Sequence, residues 1–234
     1  MQRPSTLVHF ACVARYLKYT SVMTTDPDRR PLNTRQHLWA HKLAHFFVSL
    51  GMSPNQMSLA GILLALLGAA AYTAVLFAPA PLRPVCLIAA AVLIQLRLLS
   101  NMLDGLMAVE EGKKTPTGAI YNELPDRFAD ALFLVAAGYA SGFPALGWIA
   151  ALLAVITAYV RALGGSLGSP QDFCGPMAKP HRMFVLTVIS LLAAFFPEFP
   201  VLLWGLVLLC AGTAFTVYRR IGHLATYLDQ SSHA

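Results

Sequence analysis

Long apolar stretches without charged residues dominate the chain and predict membrane-spanning helices. Lys42 and Arg83 enclose 40 residues that contain no Asp, Glu, Lys or Arg, and Glu198 and Arg219 enclose another 20. Because a helix needs about 20 predominantly apolar residues to cross a bilayer, stretches of this length are typical of transmembrane segments. We predict six transmembrane helices, which cover residues 54–78, 84–110, 117–141, 145–165, 181–197 and 199–220.

The segment before the first predicted span has a different, amphipathic pattern. Trp39, Leu43, Phe46 and Leu50 recur at helical spacing, and basic and histidine side chains lie between them. This pattern is typical of a helix that lies in the membrane interface. The predicted fold class is therefore all-α integral membrane, with six transmembrane helices preceded by an N-terminal amphipathic interfacial helix. The chain divides into an N-terminal extension that need not be ordered, the interfacial helix, the six-helix membrane domain and a cytoplasmic tail, at residues 1–34, 35–50, 51–220 and 221–234.

Composition excludes the other broad classes of protein. Asp, Glu, Lys and Arg make up 12% of the 234 residues, 57% are hydrophobic, and the mean hydropathy is +0.60. A soluble domain this apolar would expose large hydrophobic patches, and a disordered chain needs low hydrophobicity. The cysteines have neither the spacing of a structural zinc site nor that of a disulfide framework, so neither is expected; they are Cys12, Cys86, Cys174 and Cys210.

The distribution of Lys and Arg predicts the orientation in the membrane. Basic residues concentrate in the N-terminal segment, in the loops after the second and fourth predicted helices, and near the C-terminus. Because positively charged loops stay on the cytoplasmic side, both termini are expected to be cytoplasmic. The net charge of +6 follows from this bias. It favours contact with anionic lipid headgroups, and no nucleic-acid partner is expected.

A few ionisable residues fall inside the predicted spans, where charge is costly and marks functional sites. In the second predicted helix, Arg97, Asn101, Asp104 and Ala108 are separated by four, three and four residues. This spacing places them on one face of a helix. The second predicted helix therefore has a polar stripe within an apolar sequence.

The third predicted helix has a matching stripe, in which Gly118, Asn122 and Asp126 are each four residues apart. The loop between the two helices is short, so we expect them to be antiparallel neighbours. Gly105, Ala108 and Gly118 are small enough to allow a close approach of the two backbones.

These two stripes predict a polar pocket that opens to the cytoplasm. Carboxylate and amide oxygens would converge there, and they are ligands for Mg²⁺, Mn²⁺ or Ca²⁺ rather than for zinc. The predicted lining residues are Asn101, Asp104, Asn122 and Asp126. The alternative is that these polar side chains bond to one another and only hold the helices together.

At this point the sequence resembles the CDP-alcohol phosphotransferase superfamily, whose signature is D-x2-D-G-x2-A-R-x8 or x9-G-x3-D-x3-D. The signature positions of this chain are, in order, Asn101, Asp104, Gly105, Ala108, Val109, Gly118, Asn122 and Asp126. The register is kept without a gap, and three positions depart from the signature: Asn101, Val109 and Asn122. Ser53-Pro54-Asn55 also resembles the segment that begins the family's first span, and residues 175–179 resemble its substrate-binding loop.

The resemblance implies a membrane phosphatidyltransferase of phospholipid biosynthesis. Such an enzyme transfers a phosphatidyl group from CDP-diacylglycerol to an alcohol acceptor and releases CMP. The resemblance further implies a divalent metal, Mg²⁺ or Mn²⁺, a homodimer, and a location in the bacterial inner membrane.

The resemblance also implies roles for individual residues. Asp126 is in the general-base position. The implied metal ligands are Asn101, Asp104, Asn122 and Asp126. The implied donor-binding residues are Asn55, Arg97, Asp104, Gly105, Ala108 and Gly118. The implied acceptor-phosphate residues are Arg161, Lys179 and Arg182. Glu123 and Asp130 are carboxylates that could compensate for the two asparagines, and Arg97 could replace the arginine missing at Val109 or neutralise Asp104.

Two alternative functions stay open. The loss of charge at Asn101 and Asn122 is compatible with a non-catalytic relative that binds lipid or nucleotide without turnover. The six predicted spans also allow a small transporter, although the ionisable residues cluster toward one face of the membrane instead of the midplane.

Overall fold

Helices form nearly all of the part of the chain that the computed structural model describes, residues 38–110 and 118–232. Seven α-helices, α1 to α7, cover Leu38–Ser49, Pro54–Ala74, Arg83–Glu110, Gly118–Ala140, Pro144–Ser166, Lys179–Phe195 and Val201–Ser232. A short 3₁₀ turn at Ala80–Leu82 precedes α3, and no strand occurs among the described residues. The predicted all-α class is therefore confirmed. The predicted extension at residues 1–34 and the predicted loop after the second span, residues 111–116, lie outside the described residues.

Four of the helical segments are long and apolar enough to cross a membrane. They are Pro54–Ala74, Ala80–Ala108, Pro144–Ser166 and Val201–Ser231. The α4 helix carries four charged residues within two turns, and α6 has 17 residues. Because of these charges and this length, α4 and α6 are not among the four candidate spans. The count of six spans therefore stays a prediction. The last helix also continues to Ser232, well beyond the predicted end at residue 220.

The start of α2 is fixed by its local sequence. Ser53 Oγ accepts a hydrogen bond from the backbone N–H of Gln56 at 3.3 Å, and Gln56 Oε1 accepts one from the backbone N–H of Ser53 at 2.9 Å. This reciprocal capping box satisfies two N–H groups at the helix end, and Pro54 occupies a position where its missing N–H costs nothing. The Ser-Pro-Asn segment therefore has a visible structural role in addition to its resemblance to the family.

The α1 helix lies within the range predicted for the interfacial helix. Ala40 and Ala44 are fully buried and pack in a cluster that includes Met102 and Leu106 of α3. Other apolar side chains point outward: Leu38, Trp39 and Phe46 of α1, and Leu50 just after it, are about half exposed or more. The position of α1 in the membrane interface stays a prediction. Its exposed apolar side chains are suited to contact with lipid there.

Among the described residues, glycines allow close helix contacts at positions that the sequence pattern did not predict. The α2 helix packs along both α3 and α4. At Gly68 of α2, an added Cβ would lie 2.2 Å from Cε1 of Phe133, and at Gly147 of α5 it would lie 2.7 Å from the backbone oxygen of Leu134. The predicted close approach of α3 and α4 through Gly105, Ala108 and Gly118 stays a prediction, and the glycines of α2 lie against both of these helices.

We expect Gly147→Ala to destabilise the protein by about 1–3 kcal/mol, because the new methyl group meets backbone atoms that cannot rotate away. Gly165→Ala is the matched control in the same helix, since a Cβ there would lie 3.6 Å from Gln171 Nε2 in ordinary contact. Thermal unfolding of both variants in detergent measures the difference. Equal melting temperatures for the two variants would contradict this account of α4–α5 packing.

Candidate active site

Asp126 lies at the centre of a buried cluster of charged residues from three helices. Arg97 of α3 donates from Nη2 to Asp126 Oδ1, and Lys179 at the start of α6 donates from Nζ to Asp126 Oδ2. The same ammonium group donates to Asn101 Oδ1 at 3.0 Å. Lys179 therefore connects two positions of the family signature, Asn101 on α3 and Asp126 on α4.

Asp104 forms the second acidic position of the cluster. Its Oδ2 accepts a hydrogen bond from Ser58 Oγ of α2 at 2.8 Å. Its Oδ1 is buried and has no hydrogen-bond partner among the described residues. Asp104 is also close enough to Asp126 and Lys179 to interact with both charges. A buried carboxylate oxygen without a donor is available to a ligand, since burial without a partner is otherwise costly.

The structure brings together three of the four residues predicted to line the pocket, Asn101, Asp104 and Asp126. The side chains of Asn122 and Val109 lie outside the described residues. The cluster contains two carboxylates, Asp104 and Asp126, and two cations, Arg97 and Lys179. The charges of these four side chains therefore balance. Arg97 forms an ion pair with Asp126. The sequence analysis had considered Asp104 as the carboxylate that Arg97 neutralises.

Asp130 and Arg182 form a separate buried ion pair one turn along α4 from Asp126. Arg182 Nη2 donates to Asp130 Oδ2 at 3.0 Å, and Arg182 Nη1 donates to the backbone oxygen of Met177 at 3.1 Å. The two side chains are only 1% and 2% exposed. Arg182 is therefore enclosed by protein, a poor position for the predicted contact with an acceptor phosphate. Asp130 likewise has an arginine partner and supports α6 against α4.

Glu123 and Arg161 lie at a more exposed edge of the site. Glu123 Oε2 accepts hydrogen bonds from Arg161 Nη2 at 2.6 Å and from Arg127 Nη2 at 3.0 Å, and its side chain is 49% exposed. Arg161 also donates to Gln171 Oε1 and its guanidinium carbon lies 5.3 Å from the centre of the Phe173 ring. Glu123, which the sequence offered as a compensating carboxylate, thus already has two cationic partners.

The remaining residues predicted for donor binding lie on α2, α3 and α4. Asn55 lies in the first turn of α2 and is partly buried, and Gly105 and Ala108 are partly buried on α3. Gly118 is the first residue of α4. The sequence reasoning missed Ser58, although it follows Asn55 closely in an otherwise apolar helix and could have been noticed as a polar residue near the signature.

Comparison with known proteins supports this view of the fold. No protein-family model matches the chain. The chain is 32% identical over 185 residues to an uncharacterized protein of Aquifex aeolicus (strain VF5), a match that covers 76% of this chain and 85% of the relative. It is 26% identical over 148 residues to inner membrane protein YnbA of Escherichia coli (strain K12), covering 63% of this chain and 71% of the relative.

Among the solved structures that share the fold are two of phosphatidylinositol phosphate synthase (PgsA1) from Mycobacterium tuberculosis. The complex with manganese and citrate superposes with a TM-score of 0.69 at 22% identity, covering 80% of this chain and 89% of that chain. The form with CDP-DAG bound gives a TM-score of 0.65 at 22% identity, covering 79% and 92%.

These observations define the class first. The protein is a helical membrane protein that shares the fold of phosphatidylinositol phosphate synthase, and this agrees with the fold that the resemblance to the signature implied. Within that class, the chain belongs to the same family as the Aquifex aeolicus protein, because their identity extends over most of both chains.

Proposed function

We propose that this protein is a membrane phosphatidyltransferase that uses a CDP-linked lipid, CDP-diacylglycerol, as donor and an alcohol as acceptor. The observation that carries the proposal is the buried Asp126, which occupies the general-base position of the signature and lies beside Lys179, Arg97 and Asn101. The fold shared with the CDP-DAG-bound synthase supports the same donor.

The proposed reaction forms one bond, breaks one bond and transfers one proton. The acceptor hydroxyl oxygen forms a bond to the β-phosphorus of the donor, the bond between that phosphorus and the oxygen of CMP breaks, and CMP leaves. Asp126 takes the proton of the hydroxyl. A carboxylate held by two cations is a weak proton acceptor, so one of them must move. A phosphate oxygen of the bound donor, or of an anionic acceptor, is a suitable partner to draw Lys179 away.

The described residues fit a divalent cation, Mg²⁺ or Mn²⁺, beside Asp104. Its buried Oδ1 has no hydrogen-bond partner in the described part of the chain. Asn101 would contribute an amide oxygen once Lys179 releases it, and Asn122 is the further ligand that the signature proposes. Such a cation, when bound, stabilises negative charge on the diphosphate and on the departing CMP. Asp126, by contrast, is already neutralised by protein cations.

The rest of the assignment follows from the sequence and is part of the proposal. Six spans, with both termini in the cytoplasm, place the pocket at the cytoplasmic face of an inner membrane. The acyl chains of the donor then stay in lipid while the nucleotide stays in water. A homodimer is proposed from the resemblance to the family. The acceptor phosphate site is proposed at Lys179 and Arg161, of which Lys179 contacts Asp126 directly.

A specific observation favours a second candidate, a non-catalytic relative that binds CDP-lipid. Both oxygens of Asp126 accept hydrogen bonds from cations, and two signature aspartates are replaced by Asn101 and Asn122. This candidate predicts binding of CDP-diacylglycerol with no release of CMP.

Purified protein, incubated with CDP-diacylglycerol and a panel of alcohols in Mg²⁺ or Mn²⁺, separates the two candidates. We expect CMP release that depends on the acceptor and is abolished by a chelator of divalent cations. The panel should include uncharged polyols and phosphorylated polyols, because Lys179 is suited to an anionic group. Binding of the donor without CMP release for any acceptor would favour the non-catalytic relative and overturn the proposed reaction.

A further inference from the structure

Away from this cluster, three chemically different side chains converge between the α5–α6 loop and α7. Cys174 Sγ lies 3.2 Å from Asp172 Oδ2 and 3.4 Å from His223 Nδ1. His223 Nδ1 lies 3.1 Å from the same Asp172 oxygen. The three atoms therefore form a small triangle of sulfur, nitrogen and oxygen, and none of them belongs to the proposed transferase mechanism.

The arrangement is unsuited to nucleophilic catalysis. In a Cys-His-Asp triad, one ring nitrogen of the histidine faces the thiol and the other faces the carboxylate. Here a single nitrogen, Nδ1 of His223, faces both groups. Burial and the adjacent Asp172 carboxylate also raise the pKa of the Cys174 thiol, the reverse of what an activated cysteine needs.

The triangle has nearly the dimensions of one face of a tetrahedral zinc site. Bonds of about 2.3 Å to sulfur and about 2.0–2.1 Å to nitrogen and oxygen place tetrahedral ligand atoms about 3.3–3.6 Å apart. The observed separations are 3.1, 3.2 and 3.4 Å, so each pair needs to open by only a few tenths of an ångström. Each of the three side chains offers one ligand atom, and these atoms lie within 4.8 Å of one another.

Neighbouring contacts hold the triangle in place. The backbone N–H of Cys174 donates to Asp172 Oδ1 at 2.7 Å, which leaves Oδ2 directed at the other two groups. Arg220 Nε donates to the backbone oxygen of Cys174 at 3.0 Å, and Tyr227 OH donates to the backbone oxygen of Gly168 at 2.8 Å. The loop is thus attached to α7 on both sides of the triangle.

We propose that Asp172, Cys174 and His223 bind one zinc ion that ties the α5–α6 loop to α7. Thiolate and carboxylate would neutralise the ion, and neutral imidazole would complete the protein ligands, with water in the fourth position. The thiolate selects zinc over Mg²⁺, the reverse of the all-oxygen set at Asn101 and Asp104. Because the same loop leads into Lys179, the ion would fix the segment that supplies a residue of the proposed active site.

Cobalt substitution tests this site without any assay of activity. Full-length protein in detergent is stripped with a chelator and titrated with Co²⁺ in excess Mg²⁺. We expect one equivalent of Co²⁺ to produce a thiolate-to-cobalt charge-transfer band, and Zn²⁺ to remove it. Zn²⁺ should also raise the melting temperature.

Three variants make the result specific. Cys174→Ser keeps a hydrogen-bonding group of similar size, and it should lose the charge-transfer band and at least ~10-fold in Zn²⁺ affinity. His223→Ala should also weaken binding, and Cys86→Ser, a free cysteine elsewhere in the chain, should retain both signals. The site is disproved if wild-type protein gives no band, if the band survives in Cys174→Ser, or if His223→Ala binds Zn²⁺ as tightly as wild type. The melting temperature of metal-free Cys174→Ser should equal that of metal-free wild type, which shows that the variant is folded.

Discussion

Replacing Asp126 with asparagine is expected to lower the rate of CMP release by about 10²–10⁴-fold, the usual contribution of a positioned general base. The amide has nearly the shape of the carboxylate but cannot take the proton of the acceptor hydroxyl. It also removes the negative charge that Arg97 and Lys179 neutralise. The measurement is CMP release from CDP-diacylglycerol with the best acceptor of the panel, at saturating donor.

Two controls separate lost chemistry from lost structure. Glu198→Gln removes an exposed acid from the turn between α6 and α7, far along the chain from the signature, and should leave CMP release unchanged. The double variant Asp126→Asn with Lys179→Met removes one of the cations left unpaired, so it should recover part of any lost thermal stability but none of the activity. If Asp126→Asn turns over at the wild-type rate, Asp126 is not the base.

The largest expected effect on stability comes from Arg182→Met, which should destabilise the protein by about 3–5 kcal/mol. The substitution leaves the Asp130 carboxylate buried without its cation, and both side chains are almost fully enclosed. The backbone oxygen of Met177 also loses a hydrogen bond from Arg182 Nη1. Thermal unfolding in detergent gives the size of the change.

The double variant Arg182→Met with Asp130→Leu tests the cause, because it removes both charges at once and should recover most of the loss. Arg127→Met is the matched comparison on α4. Its partner Glu123 is about half exposed and keeps Arg161, so the change should cost less than about 1 kcal/mol. If Arg182→Met and Arg127→Met destabilise equally, the Asp130–Arg182 pair does not have the structural role assigned here.

Several elements of the fold could be predicted from local sequence. Long apolar stretches predicted helices close to the observed α2, α3 and α5 and the start of α7, because the length of an apolar stretch is a property of the chain itself. The turn at Gly142 and Pro144 and the capping box at Ser53 likewise depend on neighbours in sequence. The end of α7 was missed, because its polar final turns lie beyond the apolar stretch that guided the prediction.

The partners of the charged residues could not be predicted in the same way. Helical spacing placed Arg97, Asn101 and Asp104 on one face, and they do lie together on α3. Spacing along one helix does not say which residue of another helix lies opposite. It therefore could not predict that Lys179 reaches Asn101 and Asp126, or that Arg182 is enclosed against Asp130.

By itself, the sequence determined that this is an all-helical membrane protein with the spacing of the CDP-alcohol phosphotransferase signature, because apolar length and residue spacing are local quantities. Only the tertiary structure decided that Asp126 is neutralised by Arg97 and Lys179, that Asp104 keeps a buried oxygen available, and that Cys174 meets His223. Helices that are apolar nearly all round carry little periodic signal for how they pack, and the packing alone brings these distant side chains into contact.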